Sequence, residues 1–217
     1  MNLVYELMAT KILIADDHSA IRIGIKQICT GEFPFVQFGE ATNYSEVFQR
    51  LKESDWDILI LDIDLPGRNG LDILKQIRAE KLKLPVLMFS FHGEEQIALR
   101  ALKMGATGYI SKDTADLELI KAINRILSGK KYVSPAISER FLDMMDDNAM
   151  KEPHELLSDR EYQTLLLIAS GKTVSEIADM LCLSTPTIST YRARILEKMK
   201  LKNNAELTTY AISQKLV

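Results

Sequence analysis

Five short apolar runs alternate along the first 130 residues with five longer stretches whose apolar positions recur every three or four residues. The runs are Lys11–Ala15, Val36–Ala41, Asp57–Asp62, Pro85–Ser90 and Gly108–Lys112. Each has strand length, and Asp57–Asp62 is almost uninterruptedly Ile and Leu before it breaks at Pro66-Gly67. Such unalternating strands are covered on both faces, as in a parallel sheet. The intervening stretches read as helices. The first carries Ile21, Ile25 and Ile28, the second spans Ser45–Glu53, and Leu71–Ala79 turns Leu74 and Ile77 inward. Glu94–Met104 stops at Gly105, and Asp116–Ser128 places Ile120, Ile123 and Leu127 on one face before Gly129. Strict strand–helix alternation predicts an α/β domain with a five-stranded parallel sheet, helices on both faces and right-handed crossovers.

The pattern changes after residue 130. Pro135, a short helical stretch over 136–145 and the acidic, polar run Asp146–Pro153 read as a linker with one helix. From there the periodicity is helical throughout. Ser158-Asp159-Arg160-Glu161 and Thr173-Val174-Ser175-Glu176 are capping boxes opening two helices. Ser184 caps a third, with Pro186 in its first turn and Ile188, Ile195 and Met199 inward, and Ala205–Gln214 makes a fourth. Two short helices joined through Cys182-Leu183-Ser184 match a helix-turn-helix, whose second member enters the DNA major groove. The predicted domains are an extension over 1–10, an α/β domain over 11–130, a linker over 131–155 and an all-α domain over 156–217. Met8 is an alternative start to Met1, since the first strand opens at Lys11.

Composition excludes several classes. At 47% hydrophobic and 26% charged, the 217 residues are those of a globular chain with no membrane-length apolar stretch, so a cytoplasmic location is expected. Cys29 and Cys182 have no ligand-like spacing, which argues against a disulfide or zinc site. His18, His92 and His154 form no metal-binding pair and read as surface or turn residues. Charge is uneven: residues 1–150 carry 18 Lys and Arg against 22 Asp and Glu, residues 151–217 carry 9 against 8. Within 184–202, Arg192, Arg194, Lys198, Lys200 and Lys202 face one acid, Glu197, a stripe suited either to a polyanion or to plain solvation.

The candidate chemistry lies at strand ends, where open α/β sheets bind ligands. Asp16, Asp17, Asp62, Ser90 and Lys112 all close or follow predicted strands. Singly each has a bland reading, Asp62 as a turn cap among them. Together, three carboxylates need a counter-charge, which Mg²⁺ supplies through one or two carboxylates plus water and phosphate oxygens. With the Lys112 charge and the Ser90 hydroxyl, such a site would stabilise a phosphoryl group on a carboxylate.

The set Asp16-Asp17, Asp62, Ser90, Tyr109 and Lys112 resembles the receiver domain of bacterial response regulators, a flavodoxin-like doubly wound fold. Leu157-Ser158-Asp159-Arg160-Glu161, Gly171, Glu176-Ile177-Ala178 and Leu183-Ser184 through Met199 resemble the LuxR/NarL-type output domain. The resemblance runs from Lys11 to about Leu216. It implies a two-component transcription regulator, not an enzyme beyond slow autodephosphorylation. Asp62 would take phosphate from a sensor histidine kinase, Asp16 and Asp17 would hold Mg²⁺ with Asp62, Ser90 and Tyr109 would be the switch pair, and Lys112 the phosphate partner. A homodimer would read double-stranded DNA through Thr187, Ser189, Thr190, Arg192, Arg194 and Lys198, with RNA polymerase a candidate further partner. Four departures stand out. Pro186 occupies a position that is often Lys in the family, and Ser189 one that is often basic. Phe91 and Asp64 put bulk and charge beside the phosphoryl site, so both are expected to change the lifetime of the phospho-form.

Two rival readings remain open on sequence. Asp62-Ile63-Asp64 looks like the Asp-x-Asp of haloacid dehalogenase-type phosphatases, although there the motif usually closes the first strand. Alternatively, the α/β half is only a dimerisation scaffold that is never phosphorylated.

Overall fold

A computed structural model describes residues 9–66, 68–80, 82–90, 95–134, 137–138, 152–214 and 216–217, with backbone alone at 95 and 96. The chain forms two compact units, divided between Met145 and Asp146. The first holds strands β1 (Thr10–Ala15), β2 (Val36–Ala41), β3 (Ile58–Asp62), β4 (Val86–Ser90) and β5 (Gly108–Ser111). Its helices are α1 (Ser19–Glu32), α2 (Tyr44–Glu53), α3 (Gly70–Ala79), α4 (Glu95–Lys103) and α5 (Ala115–Leu127). The strands are parallel in the order β2-β1-β3-β4-β5. The order reverses between β1 and β3, which sets the functional edge beside their carboxyl ends.

Both faces of the sheet are sealed by the strands' own pleat. Ile12, Ile14, Ile58, Ile60, Leu87 and Phe89 meet Ile25 and Cys29 of α1 and Leu119, Ile123 and Ile126 of α5. Leu13, Leu59, Leu61 and Met88 alternate to the other side, and buried Val47, Ile73, Leu74 and Ile77 supply its second layer. The inward stripe of α5 differs from the predicted one. Leu119, Ala122, Ile123 and Ile126 are buried, whereas Leu127 is 36% exposed. Of the predicted stripe, Ile123 is buried and Ile120 packs half-buried against the core, and only Leu127 falls outside it, so periodicity turns the stripe part of a turn too far. Tyr132, assigned from sequence to the connecting stretch, exchanges backbone hydrogen bonds with Thr107 and Tyr109 and bridges to Gly108. Of the predicted helix over 136–145, only 137 and 138 are described, and they are helical. The rest of that helix, the extension over 1–8, Gly67, Phe91, His92, Glu94 and residues 139–151 lie outside the described residues.

Among the described residues the second unit is all helical: a 3₁₀ turn (Pro153–Leu156), then α6 (Asp159–Ala169), α7 (Val174–Met180), α8 (Thr185–Met199) and α9 (Asn204–Ser213). Both predicted capping boxes form, with Ser158 and Glu161 opening α6 and Thr173 and Glu176 opening α7. Ile188, Ile195 and Met199 are buried as the spacing predicts. His154 is not a surface residue: it is 2% exposed, and its Nδ1 lies 2.9 Å from the Tyr210 hydroxyl. A histidine's half-apolar ring tolerates burial once one nitrogen has a partner, and sequence spacing could not reveal a partner 56 residues away.

Candidate phosphoacceptor site and helix-turn-helix

Asp16 follows β1, Asp62 ends β3 and Lys112 follows β5. Parallel strands in register bring these ends together. The Lys112 Nζ lies 2.7 Å from Asp16 Oδ2 and 2.7 Å from Asp62 Oδ2, with all three side chains almost fully enclosed. Asp17 stands at the rim, a third exposed, and His18 beyond it is 60% exposed. Ser90 ends β4 with no exposed surface, one residue past the Asp62–Phe89 pair. Tyr109 is buried within β5. The sequence-derived set of Asp16, Asp17, Asp62, Ser90 and Lys112 is thus gathered at one edge of the sheet.

Electrostatics at Asp62 are finely opposed. Burial pushes its carboxyl up to about 6; Lys112 pulls it down by charge and hydrogen bond, while Asp16 and Asp64 push it up again. Burial works against the Lys112 ammonium, yet Asp62 and Asp16 outweigh it and hold that group above its ordinary value. Asp62 also accepts a hydrogen bond from the Asp64 backbone N–H at 3.2 Å. Turn-capping and cluster membership therefore coexist in one carboxylate.

Three carboxylates against one ammonium leave a surplus of two negative charges. Asp16, Asp17, His18 and Asp62 offer donor atoms all within 4.8 Å of one another. Asp16 Oδ2 is buried and, apart from the Lys112 ion pair, receives no hydrogen bond among the described residues. Excess charge, oxygen donors and an available lone pair fit a divalent cation.

Two contributors escaped the sequence reading. Gly70 opens α3 against the tip of β3, its N–H donating to the Ile63 carbonyl at 2.8 Å. A Cβ there would lie 2.2 Å from the Asp62 carbonyl oxygen, so only glycine permits the approach. Asn69, beside it, caps α3 by accepting from the Asp72 N–H. An Asn-Gly pair opening a helix soon after a strand tip was the available signal. His18 is the second: its Nδ1 lies 2.8 Å from Asp17 Oδ1 and 3.3 Å from Asp16 Oδ1.

In the second unit, α7, a tight turn and α8 form the helix-turn-helix, and Cys182 takes the left-handed conformation (φ 52°) in that turn. The residues predicted to read DNA lie along α8, with Ser189, Thr190, Arg194 and Lys198 exposed and Thr187 and Arg192 half-buried, and they differ in their commitments. Ser189 and Thr190 bond back to the Thr185 and Pro186 carbonyls, and Thr187 meets the Ser184 hydroxyl at 2.8 Å. Arg192 donates to Asn204 Oδ1 at 2.6 Å. Lys198 reaches Glu161 Oε2 at 2.5 Å. Among the described residues, exposed Arg194 makes no such contact.

A parallel-sheet domain with a buried Asp–Lys–Asp edge, followed by a helix-turn-helix domain, defines a regulator built for phosphoryl signalling. The chain belongs to the two-component response regulators: the receiver-domain family matches residues 12–124, and the luxR family of bacterial regulatory proteins matches 155–211. It is 31% identical to the response regulator GacA of Pseudomonas syringae pv. syringae over 208 residues, 95% of this chain and 97% of that one. It is 30% identical to the response regulator UvrY of Escherichia coli over 202 residues, 93% of each chain. Among solved structures, RcsB of Salmonella enterica serovar Typhimurium bound to promoter rprA with phosphomimetic BeF₃⁻ has a TM-score of 0.63 at 26% identity, covering 93% of this chain and 98% of that one. A structure of two RcsB dimers bound to two parallel DNAs has a TM-score of 0.60 at 26% identity, covering 94% and 98%. The family is one of regulators, and no helix among the described residues is long and apolar enough to cross a membrane.

Proposed function

We propose that Asp62 accepts a phosphoryl group from a sensor histidine kinase and that the modified chain, as a homodimer, binds double-stranded DNA through α8. One observation carries this reading: a single buried ammonium bridges Asp16 and Asp62 at 2.7 Å each, next to the rim carboxylate of Asp17. In the transfer, an Asp62 oxygen bonds to phosphorus, the bond from phosphorus to the kinase's imidazole nitrogen breaks, and its electron pair stays on the nitrogen. Asp16, Asp17 and Asp62 would hold Mg²⁺, which when bound supplies the positive charge that the phosphoryl oxygens require. Lys112 contributes a fixed positive charge, and its position between two carboxylates keeps it protonated.

Ser90 and Tyr109 act as the switch, Ser90 by turning its hydroxyl to the phosphoryl group. Autodephosphorylation by water is the only turnover expected. The domain limits proposed from sequence, 11–130 and 156–217 with a linker between, stand as the working division. On DNA, Arg194 is assigned to base edges, and Thr187, Ser189 and Thr190 to bases or phosphates. Arg192 and Lys198 are assigned to phosphate through the N–H donors that Asn204 and Glu161 leave over. A dimer in the cytoplasm engaging two half-sites, with RNA polymerase as a further partner, completes the proposal.

Incubation with acetyl phosphate and Mg²⁺, followed by intact mass, tests the site. One added phosphoryl group, absent in Asp62→Asn and absent when Mg²⁺ is chelated, is expected. An unmodified wild-type chain would leave the α/β half a scaffold.

A further inference from the structure

The phosphoryl chemistry proposed above makes no use of the His18 imidazole, since it needs only oxygen donors and a lysine. Its ring nitrogen nonetheless sits among them, 2.8 Å from Asp17 Oδ1 and 3.3 Å from Asp16 Oδ1. Its backbone is fixed as well: the His18 N–H donates to Asp16 Oδ1 at 2.8 Å, which pins the ring's origin to the buried carboxylate. One donor atom from each of Asp16, Asp17, His18 and Asp62 falls within a 4.8 Å spread. Around a cation with bonds of roughly 2.0–2.2 Å, opposite donors lie about 4.2 Å apart. Closing that difference needs only small movements, and the two donors that would move, Asp17 and His18, are the exposed ones.

We propose that His18 is a fourth ligand of the acidic pocket and makes it favour a first-row transition cation, for which Mn²⁺ is the probe, over Mg²⁺. This rests on the reading that Asp16, Asp17 and Asp62 bind a divalent cation. Mg²⁺ takes oxygen ligands and gains little from imidazole, whereas borderline cations bind imidazole nitrogen well. The three carboxylates serve both ions; the nitrogen serves one. His18 is therefore a selectivity residue, and its removal should change a ratio of affinities more than either affinity for carboxylates alone.

The test uses the full chain, its His18→Ala and His18→Asn variants, and Asp62→Asn. His18 flanks α1 without a side-chain cap bond, so neither substitution removes a fold contact there. Mn²⁺ and Mg²⁺ affinities are measured by titration and competition, and pulsed electron paramagnetic resonance of bound Mn²⁺ reports nitrogen coordination. The expected result is imidazole-nitrogen modulation in the wild type that disappears in both His18 variants. Their Mn²⁺ affinity should fall by about tenfold or more, the size of loss that even outer-shell partners cause, while Mg²⁺ affinity changes much less. If cations bind, Asp62→Asn weakens both, and the His18 variants shift both in equal proportion without a nitrogen signal, then the three-carboxylate pocket stands and His18 merely orients Asp17. That outcome overturns the inference alone. If neither cation binds the wild type, the pocket reading fails and takes the inference with it.

Discussion

Lys112 offsets only part of the cost of burying Asp62. Its carboxyl, pushed up to about 6 from an ordinary 3.8, favours the folded chain when protonated. That contribution is full below the ordinary value and is lost as pH rises through about 6. Asp62→Asn is therefore expected to stabilise the metal-free first unit near pH 7 by roughly 1–3 kcal/mol. The gain should shrink as pH falls from 6 toward 4; thermal unfolding of both chains in chelator across that range checks it, and a gain independent of pH would point to packing instead. Lys198 presents the opposite sign. Burial pushes the Glu161 carboxyl up, but hydrogen bonds from Lys198 and Ser158 outweigh it and hold the group below its ordinary range. Its stabilisation is present above the unfolded value and is lost as pH falls through the lower folded one. Because the lysine is 40% exposed, Lys198→Ala should cost the second unit only about 1 kcal/mol at pH 7. Calorimetry should show that cost vanish in acid. A variant of unchanged stability whose DNA affinity loses about one unit of salt slope would restore Lys198 to the phosphate backbone.

At the scale of elements, the junction of β3 and α3 is the tightest joint around the site. The start of α3 abuts the Asp62 carbonyl because residue 70 has no side chain. Gly70→Ala is expected to push the strand tip aside, costing roughly 1–3 kcal/mol of stability and most of the Mg²⁺-dependent phosphorylation. Retained phosphorylation with full stability would show that the loop can give way. The recognition element α8 is simpler, with one face anchored by Ile188, Ile195 and Met199 and the other exposed. Arg194→Ala should reduce discrimination between specific and random sequences by about 1–3 kcal/mol, measured by competition binding. Equal losses on both DNAs would make it a phosphate contact. These helices were legible because their periodicity had one solution. For α5 it had two, and only the position of the sheet selects Leu119 and Ile126 over Leu127.

The whole molecule joins a small chemical change to a polyanion-binding surface. Converting a mostly inactive population to a mostly active one takes about 5.5 kcal/mol of differential affinity, which the phosphoryl group proposed on Asp62 would have to supply. Selection of genomic DNA by the full chain, with and without acetyl phosphate, should return paired half-sites. Their binding should tighten at least about tenfold, or 1.4 kcal/mol, on phosphorylation, and Asp62→Asn should not respond. Tightening that persists in Asp62→Asn would place the acceptor elsewhere.

Strands, helices and the caps of α6, α7 and α8 are legible in the residues alone, since these follow from apolar runs, 3.6-residue periodicity and side chains that bond to the nearest backbone. Asp16, Asp17, Asp62, Ser90 and Lys112 are legible too, because each lies beside a readable strand end. Packing had to supply the relations between residues on different elements. The closeness of Gly70 to the Asp62 carbonyl, the burial of His154 against Tyr210, and the capture of Lys198 by Glu161 all depend on how elements pack. No local pattern encodes such distances; they arise when separate elements share one core.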